Sequence, residues 1–94
     1  MRAVELAVYA DALAGAAASL SARAERARSR IRQAAIEKRA RRELTSVAVE
    51  RLESLGLLGA VDEVGARKEL RELEAALDAL EELQSWVEGE LSAA

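Results

Sequence analysis

Cysteine, histidine, proline and phenylalanine are absent from these 94 residues, and tryptophan and tyrosine occur once each. Each gap removes a kind of chemistry. Without cysteine there is no disulfide and no thiolate metal site. Without histidine the commonest metal ligand and the usual neutral-pH general base are gone as well. Serines 19, 21, 29, 46, 54, 85 and 92 have no imidazole to activate them. The only glycine-rich stretch, "GLLGAVDEVG" over residues 56–65, has neither a Walker lysine nor the dinucleotide spacing. Asp62 and Glu63 within it lack the ligand spacing of a calcium loop. These gaps predict a non-enzyme with no metal, no cofactor and no small-molecule substrate.

Long uncharged apolar runs are missing too. Residues 3–20 are rich in alanine, leucine and valine, but Glu5 and Asp11 interrupt them. They fall short of the roughly 18 uncharged residues of a membrane span. The expectation is a cytoplasmic chain without membrane contact. With 51% hydrophobic residues but only 2% aromatic, much of the apolar content is alanine. A buried methylene stabilises by about 0.8 kcal/mol, so a core built from alanine is thin. The prediction is a chain completed by another copy of itself, as a dimer or higher oligomer, or by another protein.

The absence of proline favours long helices, and the heptads are there. Leu6, Leu13, Leu20, Ala27 and Ala34 form one file, and Ala10, Ala17, Ala24, Ile31 and Lys38 a second. They predict a helix over about 3–43, with Gly15 and the Ser19/Ser21 pair as points where it can bend. "LTSVAVERLESLGLL" (44–58) predicts a short helix over 46–55, capped by Thr45 or Ser46. Val47, Leu52 and Leu55 would lie on its buried side, and Gly56 would close it in the left-handed conformation, with Leu57 or Leu58 folding back. After a turn over 56–65 comes a helix over 66–91. Leu70, Leu73, Leu77, Leu80, Gln84, Val87 and Leu91 follow strict 3,4 spacing. Ala76, Leu83 and Trp86 widen that stripe beyond the needs of a two-stranded coil. Together these predict one all-α domain over residues 1–94, an antiparallel helical hairpin or three-helix bundle with coiled-coil-like packing.

Charge is segregated. Residues 1–42 carry ten Lys/Arg against Glu5, Asp11, Glu25 and Glu37, a net of +6; residues 43–94 carry four against thirteen acids, a net of −9. Arg23, Arg26, Arg28, Arg30, Arg32, Lys38, Arg39, Arg41 and Arg42 repel one another along the first helix, and Glu74, Asp78 and Glu82 do so along the last. Antiparallel pairing of the two relieves both repulsions and selects partner and orientation. The functional expectation is a protein–protein interaction module, acting in oligomerisation, scaffolding, adaptor or chaperone roles. Its contacts would be Leu6, Leu13, Leu20, Ile31, Leu70, Leu73, Leu77, Leu80, Trp86 and Val87. Ile36, on the outer face of the first helix, is expected to meet the middle helix or a second chain. The alternative is a small nucleic-acid-associated protein that grips phosphates through Arg23–Arg42, although aromatic residues for base stacking are not interleaved there.

Overall fold

The computed structural model describes residues 2–59 and 61–93. The protein is all-α, with α1 (Ala3–Glu43), α2 (Ser46–Ser54) and α3 (Glu63–Ala93), and no strand occurs among the described residues. α1 runs unbroken past Gly15, Ser19 and Ser21. An exposed glycine costs a helix only about 1 kcal/mol, and the alanines and leucines around it carry the chain through. Glu5 in the first turn and Arg41 and Arg42 in the last suit the helix dipole. One 18-residue window of α1, near its start, has a mean hydropathy of 1.4, long and apolar enough to cross a membrane by length and composition.

The link from α1 to α2 is two residues, and its chemistry is local. Thr45 takes an extended conformation and its hydroxyl accepts the Ala48 N–H at 3.2 Å, capping α2. At the far end Leu57 N–H donates to the Leu52 carbonyl at 2.9 Å and Gly56 N–H to Glu53 at 3.0 Å. With Gly56 at φ 74°, this is the Schellman closure that its glycine predicts. Leu58 is the residue that turns inward, whereas Leu57 is exposed. Leu52 lies on the half-buried side, as its spacing predicts, but the expected burial of Val47 and Leu55 does not occur. Both are exposed, and Ala48 and Val49 stand beside Leu52 on the half-buried side instead.

α3 begins at Glu63, earlier than the predicted 66. Asp62 caps it, with its carboxylate accepting the Gly65 N–H at 2.9 Å and its carbonyl the Ala66 N–H at 3.0 Å. The seam therefore starts earlier as well: Glu63 and Ala66 extend the 3,4 file of Leu70 through Leu91, every member of which is buried or half-buried. The predicted turn shrinks accordingly; Ala60 within it lies outside the described residues.

The chain divides into two compact units, residues 1–25 with 71–94 and residues 26–70. In the first, the opening half of α1 packs antiparallel against the closing half of α3, with Leu6, Ala24, Leu73 and Val87 buried. In the second, the rest of α1 is covered by α2, the connecting loop and the start of α3, around Ala27, Ala34, Leu58 and Ala66. Here the α1 seam changes register: Glu37 is buried and Lys38 exposed, the reverse of the heptad expectation. The Glu37 carboxylate faces the loop and accepts the Gly59 N–H at 3.4 Å. A charged group that meets a backbone donor is tolerated where a bare lysine is not.

Candidate interaction surface

In the first unit a groove open to solvent runs between the helices, lined by Leu6, Tyr9 and Leu13 of α1 and by Leu83, Trp86 and Val87 of α3. Leu6 and Val87 form its floor, as members of the two seams. Tyr9 stands three residues after Leu6 and four before Leu13, so helical spacing sets it on the shoulder of the α1 seam. Leu83 and Trp86 occupy the matching shoulder of α3. Tyr9 and Trp86 are each 56% exposed and Leu83 is 51% exposed. The chain's one tyrosine and one tryptophan thus share a single open groove. A pair of helices with this wide a stripe leaves part of it uncovered.

Core and surface compare in the same sense. Among the described residues, the buried hydrophobic set is four alanines with Leu6, Leu58, Leu73 and Val87, while eleven large apolar side chains are exposed. Single exposed apolar groups are ordinary, but a contiguous exposed patch marks a contact surface.

In the second unit the basic stretch meets acids. Arg30 of α1 pairs with Glu69 of α3 at 3.2 Å, Lys38 with Glu63, and Arg41 with Glu53 of α2 at 2.9 Å. Arg67 also reaches Glu63, four residues before it, at 3.0 Å. Bonds from Lys38 and then Arg67 hold the Glu63 carboxyl below its ordinary value. Exposed pairs such as these contribute roughly 0–1 kcal/mol each, so they orient the elements more than they hold them. Arg28 and Arg32 are also engaged, as is Arg23 in the first unit. Arg26, Arg39 and Arg42 are exposed, and no ion pair of theirs occurs among the described residues.

Of the predicted contact residues, Leu6, Leu73 and Val87 are buried, and Leu13, Leu20, Ile31, Leu70, Leu77 and Leu80 are half-buried within the seams. Only Trp86 is left mainly in solvent. Those seam residues hold the helices together, and the outward face is made by residues beside them. Ile36, expected in contact, is exposed. Two residues that matter were not singled out by periodicity. Tyr9 is recognisable by its spacing from Leu6 and Leu13, and Glu37 carries no signal, because its burial depends on where the loop lands. No group of three or more Asp, Glu, His or Cys side chains suited to a metal occurs among the described residues.

Comparison with known protein families, curated proteins and solved structures finds no match to this chain.

Proposed function

We propose that this protein is a helical protein–protein interaction module that works through the exposed groove of its first unit. The observation that supports the reading is the placement of both aromatic residues, with Leu83, on one open apolar surface. Aromatic anchors in a partly formed pocket are the usual energetic centre of a protein interface. The seam residues serve as scaffold for that surface. A photo-crosslinking side chain at Leu83, in cells that make the protein, tests this, with one at exposed Ala22 as control. A discrete adduct from position 83 and none from 22 is the expected result. Uncrosslinked monomer from both positions removes the proposal.

One observation favours a second reading, phosphate binding through the basic stretch. Arg26, Arg39 and Arg42 are exposed, without ion pairs among the described residues. By helical projection Arg26 lies to one side of the α1 seam and the other two to the opposite side, so they do not form one continuous strip. A log–log salt slope for DNA, at about −0.9 per phosphate contacted, measures how many of them engage. Triple replacement by glutamate should then abolish it.

A further inference from the structure

The two units carry opposite charge. The first holds Arg2, Arg23 and Arg71 against ten carboxylates, a net of −7; the second holds eleven Lys/Arg against seven, a net of +4. The acids of the first unit bracket its aromatic residues. Glu82 and Glu90 stand four residues before and after Trp86, and Glu5 stands four before Tyr9, which on a helix puts each beside its aromatic neighbour. All three are exposed. The groove is therefore an apolar strip with an anionic margin.

We infer that this groove takes a cationic amphipathic helix of a different protein, laid as a third helix between α1 and α3. The inference rests on the interaction reading above and names the partner's chemistry. The lining covers two turns of α1, from Leu6 to Leu13, and one turn of α3, from Leu83 to Val87, enough to seat the apolar side chains of about two turns of a docked helix. A docking helix would place apolar side chains at heptad a and d between Tyr9 and Trp86, and lysine or arginine on its flanks against Glu5, Glu82 and Glu90.

A second copy of this chain fits poorly. Groove against groove sets −7 against −7. The basic part of α1 offers only Ile36 as an exposed large apolar residue. The outward face of α2, Val47 and Leu55, sits in a stretch over 43–55 with Arg51 alone against Glu43, Glu50 and Glu53. Leu44, Leu57 and Val64 are the unit's other exposed large apolar residues, one each in the α1–α2 link, the loop after α2 and the first turn of α3, so none of these elements carries an apolar stripe with positive flanks.

Two peptides of about 21 residues, three heptads with leucine at a and d, separate the possibilities. One has lysine at e and g, the other glutamate. Trp86, the sole tryptophan, reports binding through its emission. The lysine peptide is expected to bind saturably with a blue shift, and the glutamate peptide at least about tenfold more weakly. Leu83→Ser, at an exposed position, should weaken the lysine peptide by about tenfold while the far-ultraviolet circular dichroism of the free protein is unchanged. Equal affinity for the two peptides, or no saturable shift with either, overturns the inference. So does a dimer through the groove, seen by sedimentation and lost in Leu83→Ser. A crosslink from position 83 without lysine-peptide binding leaves the interaction reading standing and removes only the cationic helix. Loss of both removes both.

Discussion

Lys38 of α1 bonds the carboxylate of Glu63, the first residue of α3. Arg67, one turn into α3, holds the same carboxylate from the other side. Two cations from two helices thus converge on one helix start.

This fixes a pH dependence. The two bonds depress the folded-state pKa of Glu63 below 4.5. A depressed carboxylate contributes stability that is present above its unfolded pKa and is lost as pH falls through the folded one. Glu63→Gln should therefore melt at lower temperature than the parent at neutral pH. The difference should shrink below about pH 4.3, the unfolded value for glutamate. A gap in melting temperature that stays constant down to strongly acid pH would show that the charge is not the cause.

Asp62 caps α3 with its side chain, so Asp62→Ala should cost about 1 kcal/mol, within a range of roughly 0.5–2. Gly65→Ala should act through the same cap. A Cβ built at Gly65 comes too close to the Asp62 carboxylate, so that flexible side chain must shift to keep its bond. The two changes should be non-additive in a double-mutant cycle by urea unfolding, because both act on one interaction.

Gly15 behaves in the opposite way. It lies within α1, and a Cβ there meets nothing within 4 Å. Gly15→Ala should stabilise by about 0.5–1 kcal/mol through the unfolded chain. Gly56→Ala is the counterpart. At φ 74° a side chain is strained, and the loss should be about 1 kcal/mol or more. A melting temperature unchanged in either would contradict the continuity of α1 and the closure of α2 respectively.

Leu73 and Leu83 look alike in sequence and differ in place. Leu73 is 4% exposed in the seam, so Leu73→Ala should cost about 2–5 kcal/mol. Leu83→Ala should cost about 0.5 kcal/mol or less, as a surface change does. Chemical denaturation of the two variants reads the contrast directly.

These residues also show how far periodicity carries. The a/d files of both long helices were legible because leucine or alanine at 3,4 spacing has one buried solution, and from Leu6 to Ala34 the seam lies where its heptads put it. Thr45 and Gly56 were legible because each supplies a local bond or a local torsion. What was not legible depended on distant chain. The start of α3 at Glu63 required reading Asp62 as a cap rather than part of a glycine-rich turn. The swap of Lys38 for Glu37 required knowing that a loop amide arrives there. The short helix misled because Val47 and Leu55 outrank Ala48 in hydrophobicity, yet the linker geometry turns the smaller residue inward. The width of the α3 stripe pointed to a missing neighbour, and the part Tyr9 plays there emerges only when the two helices are side by side.

The second unit is one unbroken stretch, residues 26–70, whereas the first is assembled from two segments that flank it. Joining the outer segments first means closing a long loop of unordered chain, at an entropic cost that the short link between α1 and α2 avoids. Folding should therefore begin in the middle of the chain and zip outward to the groove. Pulse-labelled amides of residues 26–70 should gain protection before those of the outer segments, and simultaneous protection would argue for a single cooperative step.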